Sequence, residues 1–182
     1  MVDTTKAAAD PPPRIVATEA AADLLRLLVA AHGGVMMHQS GGCCDGSAPM
    51  CYPVGEFIVG DRDILVGLLD LRLRVGERAV DLPDGADAVP VWISGPQFEL
   101  WKHTQLVIDA VPGRGSGFSL ESPEGLRFLS RGRAFAAAEL GMLAVADPIT
   151  GQQWEAGRRP GPAVVPQIVA EAADACPVQR RP

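Results

Sequence analysis

The sequence predicts an α+β fold: a single, mostly β domain with an N-terminal helix packed on the sheet. Three observations carry this expectation. Residues 18–32 space their leucines for one face of a helix, with Thr18 in front and Gly33-Gly34 behind. Leu69, Leu71, Leu73 and Val75 alternate with Asp70, Arg72 and Arg74, the period of a half-buried strand. Ser122-Pro123-Glu124-Gly125 has proline and glycine where a type I turn joining a hairpin wants them. With 182 residues and 47% hydrophobic content, the chain has material for one core of ordinary size.

Residues 1–13, ending Asp10-Pro11-Pro12-Pro13, read as a disordered leader. Thr18 caps a helix that runs to His32, with Leu24, Leu25, Leu27, Leu28 and Ala31 as its apolar face. Gly33-Gly34 stops it, as glycine past a helix end does. Val35-Met36-Met37-His38 forms a short strand. Further strands are expected over residues 69–75, 89–94 and 105–111, the last two separated by Gly95-Pro96 and the segment carrying Trp101 and His103. Residues 118–121 and 126–130 flank the turn as hairpin arms, and an alanine-rich helix covers residues 135–143. Beyond Ala146 the chain turns rich in proline, glycine and arginine, so residues 147–182 read as a loosely attached tail behind an ordered domain at 14–146.

A net charge of −6 argues against nucleic acid as a main partner, since phosphate neutralisation wants the opposite sign. No stretch approaches the roughly 20 apolar residues that span a bilayer, and the first residues lack the pattern of a signal peptide. The expectation is a cytoplasmic protein without membrane contact, whose clustered cysteines are ligands or reactive thiols rather than a disulfide framework. The edges of a small sheet need covering, which points to a homodimer or larger homo-oligomer.

Residues 38–53, His38-Gln39-Ser40-Gly41-Gly42-Cys43-Cys44-Asp45-Gly46-Ser47-Ala48-Pro49-Met50-Cys51-Tyr52-Pro53, pack three of the four cysteines and one of the three histidines into sixteen residues. Soft sulfur donors and an imidazole on a bendable backbone suit zinc, iron or an iron–sulfur cluster. Cys43, Cys44 and Cys51 are the candidate metal ligands, with His38 or His103 completing the set. Adjacent cysteines in an extended chain point opposite ways, and Gly41, Gly42 and Gly46 ease the kink that brings both to one ion. Two other readings stand beside the metal site. One is a thiolate at Cys43 or Cys44 with His38 or His103 as its base, in redox or nucleophilic chemistry. The other is a structural turn in which small cysteines pack as weak hydrophobes.

His32 suits a helix C-terminus, and Cys176 has no evident partner. Residues 113–117, Gly-Arg-Gly-Ser-Gly, lack the lysine of a phosphate-binding loop and read as a strand connection. Asp61 and Asp63 shape a turn, while Glu121 and Glu124 are ordinary residues beside the hairpin.

Several segments together resemble one family: residues 27–34, His38 to Ser47, Pro49-Met50-Cys51, Phe98-Glu99-Leu100-Trp101-Lys102-His103-Thr104, and Gly113-Arg114-Gly115 on to Phe118-Ser119-Leu120-Glu121. Across residues 20–135 the chain resembles the bacterial family catalogued as domain of unknown function 779. Genes of that family tend to sit beside aldehyde or alcohol dehydrogenase genes, so the resemblance implies an accessory role in aldehyde metabolism with such a dehydrogenase as partner. It makes an aldehyde one target for a reactive thiolate, and it gives the structural turn a use as the docking loop of an assembly factor for an aldehyde dehydrogenase. The order of helix, strand, Gly-Gly-Cys segment and further strands is also similar to the layout of A-type iron–sulfur carrier proteins, with Cys43 matching their first cluster cysteine. Their closing Cys-Gly-Cys is replaced by Arg131-Gly132-Arg133, so Cys44, Cys51 and His103 must stand in for it if a cluster is held.

Overall fold

A computed structural model describes residues 10–40, 48–115 and 117–172. It is a mixed α+β fold of two sheets and four helices, as the patterning predicts. The chain runs β1 (Ile15–Thr18), α1 (Glu19–His32), β2 (Val35–Gln39), β3 (Met50–Pro53), β4 (Ile64–Asp70) and β5 (Ala88–Ile93). It continues through α2 (Gly95–Trp101), β6 (Thr104–Pro112), β7 (Leu126–Ala134), α3 (Ala137–Leu143), β8 (Ile149–Thr150), α4 (Gly151–Glu155) and β9 (Ile168–Val169). One sheet has the order β7-β6-β1-β9 and the other β3-β2-β5-β4-β8. Both are mixed: β1 lies parallel to β6 and β9, and β2 parallel to β5, while the remaining pairs are antiparallel.

The main core draws Ile15, Ala17, Met37, Val91, Ile108 and Phe128 from both sheets, together with Ala21, Leu24, Leu25 and Leu28 of α1. Thr18 caps α1 as expected, accepting from the Ala21 N–H at 3.2 Å. Gly33, at φ +80°, closes the helix with its N–H on the Val29 carbonyl. Leu27 of the expected apolar face is instead about half exposed. The sheets approach closely where β4 passes β1: a Cβ on Gly67 would stand 2.6 Å from the Ile15 side chain.

Three boundaries are corrected. The alternating segment at residues 69–75 is not a strand, because β4 ends at Asp70. The buried Asp70 carboxylate accepts from the Arg72 backbone N–H at 3.0 Å and from its guanidinium at 2.7 and 2.9 Å, which turns the chain. Leu69, Leu71 and Leu73 are buried all the same, and Arg26 of α1 holds the Leu71 and Leu73 carbonyls. Alternation thus marked burial but not backbone form.

The hairpin arms differ as well. The nine-residue strands β6 and β7 pair from Thr104↔Ala134 to Pro112↔Leu126, and residues 118–121 belong to their connection. Ser122–Glu124 makes a 3-10 turn ended by Gly125 at φ +69°. Finally, the segment expected to hang loosely after Ala146 contributes to both sheets. β8 pairs with β4, α4 follows it, and β9 adds to β1. Two-residue strands leave too short a pattern to read, and Pro160, Pro162 and Pro166, which argued against order, lie between α4 and β9.

Candidate functional site

Alternation along β2 decides which side chains meet. Val35 and Met37 face the core between the sheets, whereas Met36 and His38 face the outer side of the five-stranded sheet. There Met36, Leu65, Trp92 and Ile149 form a second cluster, roofed by Phe57, Val59 and Trp154. His38 is buried on this outer side, with the Phe57 ring centroid 4.5 Å from its own. Trp92 of β5 and Met50 of β3 are its register neighbours. Tyr52 stacks on Phe57 at 4.7 Å and donates its hydroxyl to the Met50 sulfur at 3.1 Å.

Both imidazole nitrogens are engaged. Nε2 lies 3.0 Å from Asp63 Oδ2, and Nδ1 lies 2.6 Å from the hydroxyl of exposed Ser40. A carboxylate only accepts, so in the neutral ring Nε2 carries the hydrogen and Nδ1 presents its lone pair to the Ser40 O–H. Asp63 is itself held: its Oδ2 accepts from the Gly60 N–H at 2.8 Å. Its backbone carbonyl accepts from Gly151 N–H at 2.9 Å, so the start of α4 braces the turn at residues 60–63. Asp63 therefore does shape a turn, and it also orients an imidazole. The sequence could not show the second role, because twenty-five positions separate the two residues.

Of the expected ligands, His38, Cys51 and His103 are among the described residues, and these three are not gathered in one place. Cys43 and Cys44 lie outside the described residues, as does Cys176. Cys51 pairs in register with Met37 and joins the inner core, on the opposite face of the sheet from His38. Burial first, and the nearby Glu121 charge second, push its thiol far above the ordinary range, so the thiolate that would bind metal or attack an aldehyde is disfavoured there. His103 sits exposed past the far end of α2, where its carbonyl accepts from Phe135 N–H at 3.0 Å. Among the described residues, no three His, Cys, Asp or Glu side chains converge as a metal-binding group.

Glu121 is a second departure from the sequence reading. It is 1% exposed, far from an ordinary turn residue. The Ser119 hydroxyl donates to its Oε2, and the same Ser119 oxygen accepts from the Cys51 N–H at 2.8 Å, tying β3 to the β6–β7 connection. Oε1 has no hydrogen-bond partner among the described residues. Gly115 covers that oxygen: a Cβ there would stand 2.9 Å from it and 2.8 Å from Ser122 Oγ. Burial raises the Glu121 carboxyl, and its hydrogen bonds to Ser119 and the backbone offset this only in part.

A folded-state value above the ordinary 4.5 gives a definite sign. The contribution is full below that pH and declines as pH rises through the folded value. Glu121→Gln is expected to remove this decline, which cannot exceed about 1.4 kcal/mol per pH unit for one group. Urea melts of both proteins from pH 4 upward test it. Parallel stability profiles would show that Glu121 is not held protonated.

A family model described as "Domain of unknown function (DUF779)" matches residues 24–134. Its span includes His38, Ser40, Cys51, Asp63, His103 and Glu121. No curated protein and no solved structure matches the chain, so the likeness to iron–sulfur carriers rests on sequence layout alone. No helix among the described residues is long and apolar enough to cross a membrane.

Proposed function

The chain belongs to the DUF779 family, and from that premise and the geometry around His38 we propose a metal-binding accessory protein of aldehyde or alcohol dehydrogenase metabolism. The observation that carries the reading is the Asp63–His38 couple at 3.0 Å. Histidines that ligate metals characteristically donate their other ring N–H to a carboxylate, which fixes the tautomer and raises ligand basicity. Here that leaves Nδ1 as the coordinating atom, directed at Ser40, from which the chain enters the segment bearing Cys43 and Cys44. Imidazole with two thiolates suits zinc, or iron as an ion or cluster. His38 is preferred to His103 for this couple, and Cys51 is left out because its thiol is buried on the other face of the sheet.

Asp63→Asn is expected to weaken zinc binding about 10- to 100-fold in chelator competition, because the amide loses the charge that holds Nε2–H. Elemental analysis of anaerobically purified protein, with its visible spectrum, identifies the metal. Content well below one per chain after reconstitution with zinc and with iron would sink the reading. Co-purification with a dehydrogenase tests the partner, and light scattering tests self-association against the 19.1 kDa chain mass.

A second reading is favoured by the Ser40 contact. At 2.6 Å, Nδ1 already faces a proton donor, as the base of a nucleophile–base–carboxylate relay does. In that reading His38 deprotonates a thiol of Cys43 or Cys44 or the Ser40 hydroxyl, with Asp63 orienting the ring. Fast alkylation of one cysteine in metal-free protein, slowed by Asp63→Asn, separates it from the metal site.

A further inference from the structure

The outer face of the five-stranded sheet is only half roofed. Around Trp92, Phe57, Val59 and Trp154 cover it. Further along β4 and β5, the register neighbours Leu68 and Pro90 lie beyond that roof and line an open cavity of about 340 Å³ with Leu82 and Trp154. This falls within the size range of small-molecule sites, which are mostly apolar with a few placed polar groups.

Two charged side chains line the same cavity, Arg159 and Asp84. The Arg159 guanidinium lies over the Trp154 ring, 3.8 Å from its centroid. It donates to the Trp154 carbonyl at 2.7 Å and the Arg158 carbonyl at 2.9 Å. These contacts fix its position and spend only part of its five donors. No carboxylate pairs with it among the described residues, in a chain whose net charge is −6. Asp84 likewise makes no ion pair there and does not cap the 3-10 turn Gly85–Asp87 that follows it.

An acid and a base that share an apolar cavity without pairing can each receive the opposite charge of one ligand. We propose that this cavity binds a zwitterion with an apolar side chain, the chemistry of a free branched or aromatic amino acid. The carboxylate sits on Arg159, the ammonium faces Asp84, and the side chain packs against Leu68, Leu82 and Pro90. The stacked, pre-positioned guanidinium lowers the ordering cost of binding, as preorganised receptors do. The site lies apart from His38 and is independent of any metal there.

The test is calorimetric titration of the full chain with L-leucine, 4-methylpentanoate and isopentylamine, three ligands that share one apolar body. Leucine is expected to bind saturably and at least tenfold more tightly than either single-charge analogue. Arg159→Gln should weaken leucine at least tenfold and strengthen isopentylamine. Asp84→Asn should weaken leucine and strengthen 4-methylpentanoate. Both side chains are exposed, so unchanged melting curves should accompany these shifts. Absence of saturable binding by leucine and by L-phenylalanine, or equal affinity for leucine and 4-methylpentanoate, overturns the proposal.

Discussion

Trp92→Ala is expected to destabilise the protein by about 3–5 kcal/mol, the usual cost of removing a fully packed large aromatic. Trp92 is 2% exposed and sits centrally in the outer cluster with Met36, Leu65 and Ile149. Trp154 meets it edge to face, with centroids 5.6 Å apart, which adds a side-chain contact to the backbone bonds that hold α4 against the sheet. For a chain of this length the thermal midpoint should fall by roughly 6–20 °C. Trp92 is also the register neighbour of His38, so the proposed metal site predicts a lower zinc affinity in the surviving folded protein. Trp92→Phe, which keeps a ring in the cluster, should recover most of the stability. A midpoint for Trp92→Ala close to the parent's would mean that the outer cluster is not a packed second core.

The second large effect falls on a glycine. A Cβ on Gly151 would stand 2.1 Å from the Gly60 carbonyl oxygen and 3.2 Å from Val59 Cγ1. The obstacle is backbone, so no side-chain rotation relieves it. Gly151→Ala should therefore cost about 3 kcal/mol, the upper part of the range for overpacking. The strain falls on the turn that presents Asp63, since Gly151 N–H is bonded to the Asp63 carbonyl. Chelator competition on the folded fraction should show the same direction of change as Asp63→Asn. Full stability together with full zinc affinity would show that the turn at residues 60–63 is not braced by α4.

Both expectations turn on residues that sequence patterning passed over. Helix α1 was legible because its signals are local: Thr18 caps, leucines recur on one face, and Gly33 takes the positive φ. Strands β2, β5 and β6 were legible as short apolar or β-branched runs between turn residues. At Leu69, Leu71 and Leu73 the alternation identified burial correctly, but it could not reveal that Asp70 would bind Arg72 and end the strand. The short strands β1, β8 and β9 were missed because their ordering comes from pairing with distant partners, and four or two residues carry no period of their own.

The candidate site divides in the same way. His38 drew notice in the sequence from its place beside the cysteine-rich segment. The separation of Cys51 from His38 and the contact between Asp63 and His38 were not legible. The first depends on which face of a strand each side chain takes, which a shift of one residue in register reverses, and the second on a turn that packing brings to β2 from twenty-five positions away. The family, the α+β class and the capped helix were determined by the sequence itself, through motifs and propensities that act within a few residues. Only the tertiary structure decided that Asp63 meets His38, that Glu121 is sealed beneath Gly115, and that residues 149–169 complete both sheets. The reason is physical. These contacts join residues far apart in the chain, and the hydrophobic burial that drives them together is non-directional until strand pairing fixes which side chains face each other.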